Sequence, residues 1–124
     1  MISLGPIKEK DKIFQFFKDK GFEYSQDSGC VTAESNMTLL GYCLYNLDNK
    51  RMTVLYIEPT DDLPLADGIL RSTLHIAAQR SITKIFYSEK FEEIYEKLGF
   101  IKSKTEKTLN LDLLFSGCTC CKKD

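Results

Sequence analysis

The sequence predicts an α/β (α+β) domain: a mixed, mostly antiparallel sheet with helices on both faces. Two observations predict it. Residues 30–34, 38–47 and 52–57 are strand-like and joined by short turns, the pattern of an antiparallel meander. Residues 65–80, 82–87 and 91–98 then read as helix, strand and helix, the succession that adds a parallel strand to a sheet.

The first helix is expected over residues 8–20, where Ile13, Phe16, Phe17 and Lys20 follow helical spacing. Gly21 is placed to end it as a left-handed cap. Ser35-Asn36 and residues 47–50 carry turn chemistry, because Asp and Asn tolerate left-handed backbone. Residues 52–57 are rich in β-branched and aromatic side chains, and Pro59 stops that strand because proline cannot donate to a ladder. Residues 60–64 form an acidic loop.

In the long helix, Leu70, Leu74, Ala77 and Ala78 make one apolar stripe. Residues 82–87 are continuously apolar enough for a buried, parallel-type strand. Phe91, Ile94, Tyr95 and Leu98 line one face of the next helix, and Gly99 caps it. Residues 109–115 are expected to close the sheet. The predicted order is strand, helix, three antiparallel strands, helix, strand, helix, strand.

The chain has 124 residues, which fits a single domain, assigned to residues 1–115, with a cysteine-rich tail over 116–124. With 43% hydrophobic and 28% charged residues, the composition is that of an ordinary globular domain. A net charge of −1, spread rather than blocked, gives no electrostatic case for nucleic acid. The start lacks a basic leader followed by an apolar run, and no apolar stretch approaches the ~20 residues that span a bilayer. A cytoplasmic protein without membrane partner is expected.

Five cysteines are an odd count, which argues against a closed disulfide framework. Cys30 and Cys43 lie in strand-like stretches and read as small buried hydrophobes. Cys118, Cys120 and Cys121 crowd the tail, where three thiols could serve a soft metal or a redox pair, or simply belong to a frayed terminus.

Four segments, in order, resemble the GNAT N-acetyltransferase family between about Ile7 and Phe115. Leu39-Leu40-Gly41-Tyr42 is similar to its third strand, and residues 54–59 to its fourth, with a hydrophobic-x-Pro end. Gly68 opens the long helix. Tyr95-Glu96-Lys97-Leu98-Gly99-Phe100 matches the family's common fourth-helix ending.

The resemblance implies acetyl transfer from acetyl-CoA, as co-substrate, to an amine by direct attack in a ternary complex. In the family, pyrophosphate rests on amides at the start of the long helix, the general anion site of a helix N-terminus. This maps onto Asp67, Gly68 and Ile69. The chain departs from the family's Gln/Arg-x-x-Gly-x-Gly/Ala pattern, carrying Leu65 and Leu70 where the basic or amide residue and the second small residue stand. Tyr95 matches the tyrosine that serves many members as general acid toward the thiolate.

Glu58, at the end of the fourth strand, is the best-placed carboxylate for the amine's proton, with Glu34 behind it. The resemblance also implies a backbone irregularity in the fourth strand, within residues 56–58 around Ile57, that would expose amides to the thioester arm. His75 reads as a packed or solvent-facing helix residue. The acceptor would be a small-molecule or protein amine. A second subunit often completes the family's acceptor pocket, which leaves a homodimer open. The altered phosphate loop motivates a second reading, a non-catalytic GNAT-fold binding or regulatory module with a metal- or redox-active cysteine tail.

Overall fold

The computed structural model describes residues 2–48 and 50–111. Along the chain run β1 (Ser3–Pro6), α1 (Lys10–Asp19), β2 (Ser28–Ser35), β3 (Thr38–Asp48), β4 (Arg51–Glu58), α2 (Leu63–Gln79), β5 (Lys84–Tyr87), α3 (Glu92–Leu98), β6 (Ile101–Ser103) and β7 (Thr108–Leu109). A 3-10 turn, Glu89–Phe91, leads into α3. Among the described residues, seven strands form one sheet in the order β1-β2-β3-β4-β5-β7-β6. β4 and β5 are parallel and every other neighbouring pair is antiparallel, so the sheet is mixed and mostly antiparallel, as the sequence predicts.

The helices end where the chain offers left-handed backbone. Gly21 has φ of 78°, and its amide and that of Phe22 close α1 onto the Lys18 and Phe17 carbonyls. Gly99 does the same for α3 with φ of 81°, donating to Glu96 while Phe100 donates to Tyr95. α2 ends on Ser81, at φ of 60°, with the amides of Ser81 and Ile82 on the Ala78 and Ala77 carbonyls. Ser81 and buried Ile82 therefore belong to the helix cap, and β5 begins at Lys84 rather than at residue 82.

α2 also starts two residues before the expected Leu65. Pro64 reads as a loop residue, yet proline is favoured in a first helical turn because the amide it lacks is unpaired there anyway. The short β6 was not expected, since three half-exposed residues carry no periodicity. Of the expected closing strand 109–115, the described part is strand only at Leu109, in β7, and Asn110 and Leu111 lie beyond its end; residues 112–115 and the tail cysteines Cys118, Cys120 and Cys121 lie outside the described residues.

Two apolar clusters lie on opposite faces of the sheet. One joins Val31, Ala33, Cys43, Val54 and Ile57 with Ile69, Leu70 and Leu74 of α2 and Ile94 and Tyr95 of α3. The other joins Ile13 and Phe17 of α1 with Cys30, Tyr42 and Leu44, and Leu55 and Tyr56 pack against it. Helices thus cover both faces. Cys30 and Cys43 are fully buried free thiols, and burial pushes the Cys43 thiol up to about 12, so both serve as packing groups.

Candidate active site at the open end of β4

β4 is the strand on which the site depends. Along its first half it is paired on both sides: β3 on one, and β5 from Arg51↔Lys84 to Val54↔Tyr87 on the other. Beyond Val54 the β5 ladder stops, while β3 continues to pair through Tyr42↔Glu58. Among the described residues, 55–58 therefore present an unpaired backbone edge inside an otherwise continuous sheet. Such an edge can pair with an extended ligand.

The same segment holds a bulge. Leu44 faces Tyr56 and Tyr45 faces Val54, which leaves Leu55 as the extra residue. The irregularity thus falls one residue before the expected stretch 56–58. Its effect on side chains is a change of parity. Met52 and Val54 point to the α2/α3 core, Leu55 and Tyr56 both point to the α1 face, and Ile57 returns to the α2/α3 core.

Glu58 shares the α1 face with Tyr56. The Tyr56 hydroxyl donates to Glu58 Oε1, and Lys20 Nζ stands 3.8 Å from the same oxygen. Lys20 also lies over the Tyr56 ring, 4.8 Å from its centre. Three further rings continue from Tyr56: Tyr42 packs on it at 5.5 Å, Phe91 meets it edge-on at 5.3 Å, and Phe16 packs on Tyr42 at 4.5 Å. Burial, then the nearby Glu58 carboxylate, pushes the Tyr42 phenol up to about 12.

Gly41 makes this approach possible. A β-carbon there would stand 2.5 Å from the Glu58 carbonyl oxygen, 2.7 Å from the Pro59 ring and 2.9 Å from Ile69 Cδ1. The Gly41, Pro59 and Ile69 positions singled out in the sequence are thus one packing contact between β3, the end of β4 and α2. The Glu58–Pro59 peptide is cis.

Tyr95 lies on the other face. It is fully buried, edge-on to Tyr87 at 5.4 Å, and its hydroxyl has no hydrogen-bond partner among the described residues. Burial raises its pKa well above the ordinary phenol value, with Cys43 adding to the effect, so the phenol keeps its proton. Glu58 and Tyr95 therefore do not touch. They lie on opposite faces of the sheet, and Phe91 links the two, packing on the Tyr95 core while its ring meets Tyr56. Beside Phe91 a cleft of about 300 Å³ is lined by Thr60, Lys90, Glu93, Ile94 and Lys97.

Asp67, Gly68 and Ile69 fall in the second turn of α2 because the helix begins at Leu63. Amides that deep are committed to the i→i−4 ladder. Gly68 faces β1: a β-carbon there would meet Leu4 Cδ1 at 3.1 Å. Asp67 pairs with Arg71 at 2.8 Å. At the true helix start, Asp62 accepts from the Leu65 amide at 3.2 Å and its carbonyl accepts from Ala66 at 2.9 Å. Pro64 has no amide hydrogen to offer. The N-terminus of α2 is thus closed by its own carboxylate.

Lys20, Tyr42, Tyr56, Phe91 and Lys90 were not anticipated as site residues. They come from four elements, and only the Tyr42↔Glu58 register and the bulge bring them together. Glu34 and His75 lie elsewhere, on β2 and on the exposed side of α2. Among the described residues, no group of His, Cys, Asp and Glu could hold a metal ion, and no helix is long and apolar enough to cross a membrane.

No family model and no curated protein matches the sequence. Solved structures do match the fold. The ribosomal-protein-alanine N-acetyltransferase of Brucella melitensis superposes with a TM-score of 0.61 at 13% identity, over 79% of this chain and 90% of that one. A Desulfovibrio desulfuricans structure described as a GNAT-family acetyltransferase gives 0.58 at 13% identity, over 83% and 87%. A Bacillus subtilis acetyltransferase in complex with CoA gives 0.56 at 18% identity, over 81% and 75%. The chain has the GNAT acetyltransferase fold.

Proposed function

We propose that the protein is a cytoplasmic N-acetyltransferase that moves an acetyl group from acetyl-CoA to a small-molecule or protein amine. The observation that carries this reading is the edge of β4 at residues 55–58, unpaired beyond Val54 among the described residues, with the Glu58 carboxylate at its end. A buried polar atom without a partner costs about 1–3 kcal/mol. The Tyr95 hydroxyl, buried against Tyr87 and without a partner among the described residues, fits a site that a ligand completes.

Acetyl-CoA, when bound, supplies the activated acetyl group. The β4 backbone within residues 56–58 offers hydrogen bonds to an extended arm laid along its edge, and the buried Ile57 side chain anchors that stretch to the α2/α3 core. Glu58 takes the proton that the acceptor nitrogen releases, directly or through water. Tyr95, protonated because it is buried, is the proton source for the departing sulfur. Acid and base on opposite sides of one strand suit a direct transfer in which donor and acceptor meet at its edge.

The phosphate end is arranged differently from the family's pattern. Amides of Asp67, Gly68 and Ile69 are the expected cradle, yet the residues better suited to a polyphosphate are Lys90 and Lys97 of the cleft beside Phe91. Lys97 is already 3.4 Å from Glu93, whereas Lys90 follows the Ser88 cap of the 3-10 turn.

One observation favours a second reading, a GNAT-fold binding module without turnover: Asp62 places a carboxylate where an anion would sit at α2. The two readings separate on an acetylation assay with acetyl-CoA and a panel of amines. CoA release above the background rate supports the enzyme. Binding of CoA with no release for any amine supports the module.

A further inference from the structure

Lys20 has an unusual position for a helix-end lysine. Its side chain, partly exposed, reaches back over the sheet, with Glu58 at 3.8 Å and the Tyr56 ring face at 4.8 Å. A carboxylate beside an aromatic face is the pairing that recognises an alkylammonium. The carboxylate is the one placed to take the acceptor's proton, and it stands at the open edge of β4.

We infer that the acceptor is a primary alkylammonium that sits between the Glu58 carboxylate and the Tyr56 ring, in the place Lys20 now fills, and that Lys20 competes with it there. The term acceptor rests on the acetyltransferase reading; the cation site itself does not. The Tyr56 ring is itself fixed by its contacts with Tyr42 and Phe91, and Phe16 packs on Tyr42 behind it. The Tyr56 hydroxyl, donating to Glu58, orients the carboxylate toward the cation. An aromatic amine, uncharged near neutral pH, would gain neither contact.

The test is a chemical-shift titration with n-butylammonium, without CoA, on the full chain and on Lys20→Ala and Lys20→Met. Both variants keep the helix end, which Gly21 caps rather than Lys20's side chain. The expected result is binding at least about fivefold tighter in both variants, lost again when Glu58→Gln is added, and no such gain for neutral n-butanol. Equal butylammonium affinity in wild type and both variants overturns the inference. So does an equal gain for n-butanol, which would show only an apolar hole. Acetyl-CoA titrated separately keeps the two claims apart: a protein that takes the cation but not CoA has lost the enzyme reading and kept the cation site.

Discussion

Gly41 lies directly against Glu58, with room for a hydrogen and not for a methyl group: a β-carbon would stand 2.5 Å from the Glu58 carbonyl oxygen. The neighbours are backbone and a proline ring, so neither can swing aside. Gly41→Ala is expected to destabilise the fold by about 2 kcal/mol, as overpacking does, measured by urea unfolding. It should also weaken whatever Glu58 binds. An unchanged midpoint would show that the end of β4 yields easily.

Gly99 gives the complementary case. Its φ is 81° and, among the described residues, nothing lies within 4 Å of a β-carbon. Gly99→Ala should therefore cost about 1 kcal/mol from backbone conformation alone, with the transfer reaction untouched. The pair of glycines separates a steric from a torsional requirement.

These two positions also show how much of the molecule was legible in its sequence. Gly99 and the ring-bearing helix before it are read locally, because capping and periodicity depend on residues close in the chain. The order of elements and the mixed sheet follow from the same local signals. Gly41 marks a contact with residues 58, 59 and 69, and only the reason for the glycine was hidden. The Lys20–Tyr56–Glu58 group was illegible, since it depends on a bulge at Leu55 that reverses side-chain parity. The start of α2 was misjudged because Pro64 is compatible with both a loop and a first helical turn.

Tyr95→Phe separates a packing role from a chemical one. The hydroxyl has no partner among the described residues and is fully buried, so its removal should leave stability unchanged or raise it by about 1 kcal/mol. If Tyr95 donates the proton to the departing sulfur, kcat should fall by about 100-fold or more. A variant that is as stable and as fast as wild type would remove the residue from the mechanism.

Asp62→Ser tests the closed N-terminus of α2. Serine keeps a cap for the Leu65 amide, so stability should change by less than about 1 kcal/mol. Losing the carboxylate should strengthen CoA binding about threefold at low salt, and by less at high salt. Identical affinity at every salt concentration would place the phosphates away from this helix end.

Tyr42 sets the alkaline behaviour. Its folded pKa, about 12, is raised above the ordinary phenol value of about 10, so the folded state holds the proton more tightly than the unfolded one. Its contribution to stability is complete below about pH 10 and is lost as pH rises toward 12. Tm followed from pH 9 to 12 should fall across that window, and Tyr42→Phe should flatten the fall. A slope that Tyr42→Phe leaves unaltered would assign it to another group.

The central claim is that the open edge of β4 receives an acyl-CoA, and calorimetric titration with acetyl-CoA, paired with a thermal shift, tests it most directly. The account predicts saturable one-site binding, with stabilisation of about 2.7 kcal/mol at a hundredfold excess over Kd. No heat and no shift in Tm at millimolar acetyl-CoA would contradict it.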